Sequence, residues 1–292
     1  MNSNGLTKRM RRKMPKNRDK VKGALYGVAV GDALGAPVEF MSPEHIRNVH
    51  KVLKEMVGGG YLKWKPGEVT DDTQMTLCVA RGILKNPDSP FQDIGKEFIR
   101  WLDTDPADVG KACRIAISNA KQNGENWASA AQIAEMASGM PVEGNGALMR
   151  TIYTPLIYGF KHTEYTKQIA RLTHTGPEST RICCEYADLV CRIVNGERYV
   201  IKAQKGYIEP TGYVVNTYEC ALQSVKGTRT FENALISAVN RGGDADTIGA
   251  VTGGLAGAIY GFSKIPKRWI DAMDDELKRE LDYLADEAMK RE

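Results

Sequence analysis

Along most of the chain, apolar residues recur three or four positions apart, the period at which one face of an α-helix returns to the same side. That spacing predicts helices over 74–84, 91–102, 109–122, 128–136, 166–172, 177–194, 231–240 and 267–289, the last charged and amphipathic. Alternation with a period of two is rare, and residues 206–215 form the stretch that reads as extended. No βαβ rhythm and no repeat of solenoid length recurs. The pattern therefore predicts an all-α fold of many helices in one domain.

Two further apolar segments carry a second periodicity. Gly23, Gly27, Gly31 and Gly35 stand four apart in KGALYGVAVGDALGAPVEF, and Gly249, Gly253, Gly257 and Gly261 do so in IGAVTGGLAGAIYGF. An interior glycine costs a helix about 1 kcal/mol relative to alanine, so each stripe forgoes roughly 3 to 4 kcal/mol of propensity. Close backbone approach of another helix offsets such a loss, so the two striped helices are expected to lie against a crowded centre or against each other.

Composition changes this picture little. A length of 292 residues with 42% hydrophobic content is enough for a large core. The net charge of +4 comes from the N-terminus: residues 1–22 hold nine Lys or Arg against Asp19, and the rest is net acidic. Residues 1–21 thus read as a basic flexible tail, a solubilising arm or a contact for nucleic acid, and 22–292 as a single domain. The six cysteines form neither a CxxC pair nor a zinc pattern, and the N-terminus lacks the apolar core of a signal peptide. Reduced thiols in a cytoplasmic protein are expected. The weakly polar stretch 248–262 is shorter than the roughly 20 residues a bilayer requires, so no membrane segment is expected.

Candidate chemistry sits in two strings. GEVTDDTQMTLCVA places Thr70, Asp71, Asp72 and Thr73 before an apolar-periodic segment, where Thr and Asp are ordinary helix caps. Capping accounts for one of the four. RGGDADTIGAVTGG puts Asp244, Asp246 and Thr247 before the second striped helix, behind Gly242 and Gly243, which allow close approach to a ligand. In extended backbone, residues two apart point the same way, so Asp244 and Asp246 could reach one ion. Oxygen-only ligands suit Mg²⁺, Mn²⁺ or Ca²⁺ better than zinc, and two such helix starts could hold one or two cations.

The sequence resembles the ADP-ribosylglycohydrolases, which include the dinitrogenase reductase activating glycohydrolases and the ADP-ribosylarginine and ADP-ribosylserine hydrolases. The strings that carry the resemblance run in family order: GVAVGDALGAPVEF (27–40), TDDTQM (70–75), PADVG (106–110), GNGALMR (144–150), LTHT (172–175) and NRGGDADTIGAVTGGLAGAIYG (240–261). It implies an all-α fold with two divalent cations, Mg²⁺ or Mn²⁺, held by Thr70, Asp71, Asp72, Asp244, Asp246 and Thr247. It implies catalytic roles for Glu39, as base or water-positioning group, and for Asp108, as a clamp on the distal ribose. Gly110, Gly144, Asn145, Gly146, Met149, His174 and Gly243 fall on substrate-binding positions. The implied activity is hydrolysis of the glycosidic bond between ADP-ribose and a modified macromolecule, with protein arginine as the expected target, in a monomer that releases ADP-ribose.

Bland readings stand beside these. Asn and Gly make GNGALMR a turn by default, with left-handed backbone, although its amides could equally cradle a phosphate. A lone histidine such as His174 is more often structural. Asp32, inside the first striped helix, needs a partner if buried and reads as a capping or supporting group. Tyr213, Trp101 and Trp127 read as core or rim. Arg150 is followed by TIYTPL, a longer link to the proline than the family leads one to expect. Two alternatives stand beside this activity: a Mg²⁺-dependent phosphohydrolase acting on ADP-ribose-like nucleotides, which clustered Asp and two metals serve equally well, and a non-catalytic ADP-ribose-binding member of the same fold, which would be expected to lose metal ligands where all six positions are kept here.

Overall fold

The structure, a computed structural model, describes residues 16–140 and 142–291. Its helices are α1 (Arg18–Gly35), α2 (Pro43–His50), α3 (Asp71–Lys85), α4 (Phe91–Leu102), α5 (Lys111–Gln122), α6 (Trp127–Ser138), α7 (Tyr153–Tyr158), α8 (His162–Ala170), α9 (Pro177–Val194), α10 (Val214–Lys226), α11 (Phe231–Val239), α12 (Ala245–Tyr260), α13 (Lys267–Ala272) and α14 (Asp275–Lys290). The fold is all-α, and no strand is present among the described residues. None of the helices is long and apolar enough to cross a membrane.

Helices α1 and α12 form the centre, and their glycines are the reason they can. A Cβ added to Gly27 would lie 2.0 Å from the carbonyl oxygen of Gly253, and one on Gly253 would lie 1.9 Å from that of Gly27. Gly31 meets Gly249 in the same way, and Gly23 meets Gly257. As numbers rise along one helix they fall along the other, so the pair is antiparallel and backbone rests directly on backbone. Every residue from Gly23 to Gly35 is buried. Helices α10 and α11 flank α12, α14 covers α1, and α3 packs on α4.

Several boundaries differ from the periodicity. The expected helix over 267–289 is two helices, because Asp274 accepts hydrogen bonds from Glu276 N and Leu277 N at 2.8 and 3.1 Å and so starts α14 afresh. The segment 206–215 forms no strand: α10 already begins at Val214, and Tyr213 makes an isolated bridge with Gly144. That bridge pins the 143–146 turn, through Asn145 N to Gly212 O and Val214 N to Glu143 O, both at 3.0 Å.

Residues 1–15 of the expected tail, with the nucleic-acid contact read into it, lie outside the described residues. Residues 16–21 pack with the domain rather than forming a flexible tail: Asn17 caps α1, and the buried Lys16 donates from Nζ to Leu156 O at 2.9 Å and Ala288 O at 3.1 Å. All six cysteines are free thiols.

Candidate active site

The site assembles where α3 and α12 begin. Thr70 is extended and turns its hydroxyl onto Asp72 N, as an N-cap does, so Asp71 and Asp72 occupy the first turn of α3 rather than preceding it. Asp32, projecting from α1, completes the cap. Its carboxylate accepts from Thr70 N at 3.0 Å, Thr73 N at 3.0 Å and Thr73 Oγ1 at 2.5 Å. Burial pushes the Asp32 carboxyl up to about 6, and these hydrogen bonds hold it from rising further.

At α12 the extended reading of Asp244 and Asp246 is corrected, because the helix starts at Ala245 and Asp246 lies in its first turn. The two carboxylates converge all the same, and Glu39 joins them. One ligand atom from each of Glu39, Asp244 and Asp246 lies within 4.8 Å of the others. Gly242 and Gly243 make the turn possible. Both have left-handed backbone, and a Cβ on Gly243 would stand 1.9 Å from Pro210 O. Gly243 also ties this turn to the Glu39 segment, accepting from Phe40 N at 2.7 Å and donating to Met41 O at 2.9 Å. It is thus a backbone joint and not part of the cavity wall.

The two acidic strings meet directly. Thr247 Oγ1 lies 3.2 Å and Thr70 Oγ1 3.4 Å from Asp72 Oδ2, while Asp72 Oδ1 is buried with no hydrogen-bond partner. Asp71, Asp72 and Asp246 are buried, and none of these carboxylates has a salt bridge among the described residues. Burial, reinforced by the neighbouring carboxylates, pushes Glu39 and Asp71 up to about 8. The same causes raise Asp72 and Asp246 well above the ordinary carboxylate range, and burial with repulsion from Asp244 raises Asp108. Massed carboxylates with an orphaned oxygen and no salt-bridge partner among the described residues are the donor set that a hard cation fits.

Beside them opens a cavity of about 240 Å³, walled by Glu39, Asp71, Asp108, Asp244, Asp246 and Thr247 on the acidic part, and by Gly110, Gly144, Asn145, Gly146, Met149 and His174 on the rest. The structure therefore gathers the catalytic and substrate-binding candidates, Gly243 excepted, around one space. Thr70 and Asp72 lie behind the wall. Gly110 N donates to Asp71 Oδ2 at 3.3 Å. Asn145 Nδ2 bridges Asp244 Oδ2 at 2.7 Å and Thr217 Oγ1 at 2.9 Å, linking the acidic part to the glycine turn.

Residues 145–147 form a 3₁₀ turn in which neither Gly144 nor Gly146 is left-handed. The glycines are needed for space, because a Cβ on Gly146 would sit 3.1 Å from His174 Cε1 and 3.2 Å from Cys113 Sγ. Trp101 and Trp127 are core residues, and Tyr213 is 43% exposed. Sequence reasoning missed Thr217, Lys111 and Cys113. The first lies in the core of α10 and the others in the first turn of α5, where helical patterning gives no sign of a cavity.

The model of the family described as ADP-ribosylglycohydrolase matches residues 13–292. The chain belongs to this family. It is a glycohydrolase of ADP-ribosylated substrates. The chain is similar to the ADP-ribosyl dinitrogen reductase glycohydrolase of Rhodospirillum rubrum, at 35% identity over 91% of this chain and 94% of that protein. It is similar to the ADP-ribosylarginine hydrolase Tri1 of Serratia proteamaculans, at 30% identity over 92% of this chain and 80% of that protein. Among solved structures, an ADP-ribosylglycohydrolase-related protein complex superposes with a TM-score of 0.77 at 30% identity, covering 94% of this chain and 98% of that chain.

Proposed function

We propose that this glycohydrolase removes ADP-ribose from arginine side chains of modified proteins with the help of two divalent cations, Mg²⁺ or Mn²⁺. The observation that carries the cation part is the orphaned Asp72 Oδ1 within a group of carboxylates that form no salt bridge among the described residues. Thr70, Asp71, Asp72, Asp244, Asp246 and Thr247 would hold the cations, and Glu39, which shares a cluster with Asp244 and Asp246, stands close enough to contribute. Bound there, the cations would supply the positive charge that lets these carboxylates ionise together, and Lewis acidity toward ribose hydroxyls. The arginine part is supported by the two bacterial relatives, whose names specify a modified reductase and ADP-ribosylarginine.

The chain's own groups then divide the work. Asp108, on the cavity wall, accepts from hydroxyls of the distal ribose and fixes the ring. An ionised Glu39 takes a proton from a water aimed at the anomeric carbon as the bond from that carbon to the guanidinium nitrogen breaks. The bonding pair leaves with the nitrogen, giving a neutral guanidine, which needs no acid at the moment of departure. The positive charge that develops on the ring lies beside Asp108 and Glu39, the two wall carboxylates not assigned to the cations, the kind of environment an oxocarbenium-like state requires.

The test is incubation of the protein with ADP-ribosylated arginine peptide, ADP-ribosylated serine peptide and ADP-ribosylated DNA, with Mg²⁺, Mn²⁺ or EDTA. Free ADP-ribose and unmodified arginine, formed only with metal, are expected. Faster turnover of the serine peptide or the DNA would overturn the arginine assignment. Equal rates in EDTA would overturn the cations, and release of phosphate would indicate phosphohydrolase chemistry instead.

A further inference from the structure

Arg150 has no exposed surface, and none of its hydrogen bonds goes to a carboxylate. Its guanidinium lies 4.8 Å from the centre of the Phe98 ring and donates from Nη1 to Gly146 O at 2.8 Å and from Nη2 to Thr173 Oγ1 at 2.7 Å. Burying a cation without an anion is expensive, so the groups it holds are the place to look for its use.

Thr173 Oγ1 also lies 2.7 Å from His174 Nδ1. A hydroxyl has one proton and two lone pairs, and arginine only donates, so Arg150 occupies a lone pair of Thr173. Were Nδ1–H to fill the second lone pair, the hydroxyl proton would need another acceptor among the groups that Thr173 Oγ1 contacts. Cys113 Sγ, at 4.0 Å, is a distant and weak partner, which leaves His174 Nδ1 as the acceptor. An accepting Nδ1 puts the ring proton on Nε2.

That nitrogen abuts the glycine turn. A Cβ on either Gly144 or Gly146 would stand 3.3 Å from it, and His174 lines the cavity. Burial and then the charge of Arg150 push the imidazole down to about 3, so the ring stays neutral. In a cavity with carboxylates on one part of its wall, an N–H donor next to Asn145 and Gly146 on the other part is a place where an electron-rich oxygen is welcome.

We propose that Arg150 and Thr173 are positioning residues that lock His174 as its Nε2–H tautomer, so that it presents a fixed hydrogen-bond donor to an acceptor oxygen of the ADP-ribosyl group. The proposal rests on the ADP-ribosyl reading above for its ligand, but not for its tautomer. Long-range proton–nitrogen NMR of the imidazoles in the ¹⁵N-labelled protein tests it, with His174→Phe used to assign the signal and calorimetric titration of ADP-ribose run alongside. The wild-type ring is expected to carry its proton on Nε2. Thr173→Val, which keeps the shape and removes the hydroxyl, should release the tautomer and weaken ADP-ribose binding about tenfold, and Thr173→Ser should restore both.

A wild-type ring protonated on Nδ1 would overturn the proposal, as would Thr173→Val with unchanged ring and affinity. If that variant does not fold by circular dichroism, the wild-type tautomer and the Thr173→Ser titration decide. ADP-ribose that fails to bind the wild type in Mg²⁺ and in Mn²⁺ would instead defeat the ligand reading, and the NMR would still decide the lock.

Discussion

Thr247 Oγ1 donates to Asp72 Oδ2 at 3.2 Å across 175 positions of chain. This contact joins the starts of α3 and α12 into one centre, and it follows from the glycine contact between α1 and α12. Asp32 on α1 caps α3, while α12 delivers Thr247 from its own first turn, so the antiparallel pair fixes both acidic strings relative to one another.

Asp246→Asn and Asp72→Ala should each abolish metal-dependent hydrolysis, with a loss of at least about 100-fold, because each removes a proposed ligand from a buried site. The folded helical protein should survive, since in EDTA either change also removes a carboxylate that its neighbours repel. Metal at 100 times its dissociation constant stabilises the wild type by about 2.7 kcal/mol. Thermal melts with and without Mn²⁺ should therefore show a rise for wild type and little for either variant. Full activity in a variant would remove that residue from the site.

The pH dependence of the metal-free protein has a defined sign. Glu39 and Asp71 are pushed up to about 8 in the folded state, chiefly by burial, against an unfolded value near 4. The folded state thus binds more protons, and its stability in EDTA must fall as pH rises from about 4 to about 8. Mg²⁺ or Mn²⁺, by favouring the ionised forms, should raise the melting temperature more at pH 8 than at pH 5.5. Melts in EDTA that climb across this window would contradict the assignment.

Asp32→Asn tests the cap from the other side. The carboxylate accepts from two backbone N–H groups and a hydroxyl, and an amide in its place must turn a donor toward either Thr70 N or Thr73 N. A loss of about 1–3 kcal/mol is expected from urea denaturation, together with weaker metal binding because Asp71 and Asp72 ride on the helix that Asp32 holds.

Much of this was legible in the sequence, for physical reasons. The four-residue glycine spacing shows in sequence because a helix returns to one face at that interval, and it indicated the central pair correctly. Helix α9 was bounded correctly at both ends because Pro177 starts it and its apolar face is unbroken to Val194. The joint between α13 and α14 was hidden because the amphipathic pattern runs on through Met273 while a single carboxylate, Asp274, caps anew. The Arg150, Thr173 and His174 chain was invisible for another reason. Nothing in sequence says that an arginine is wholly buried, and the lone histidine has its structural reading by default.

Gly27→Ala gives the sharpest test of the frame on which the site depends. At an exposed helix position this substitution would stabilise by roughly 1 kcal/mol through propensity. Here the new methyl would lie 2.0 Å from Gly253 O, which is backbone and cannot swing aside, so the axes of α1 and α12 must separate. Overpacking costs about 1–3 kcal/mol, and contact with rigid backbone puts this change at the upper end, while separation also draws Asp72 and Thr247 apart. The variant should therefore lose stability in urea and lose affinity for Mn²⁺ together. Gly139→Ala is the contrast: its Cβ would meet nothing within 4 Å, but its left-handed backbone resists a side chain, so it should lose about 1 kcal/mol with Mn²⁺ affinity unchanged. If Gly27→Ala melted like the wild type, the direct backbone contact between the two helices would be wrong.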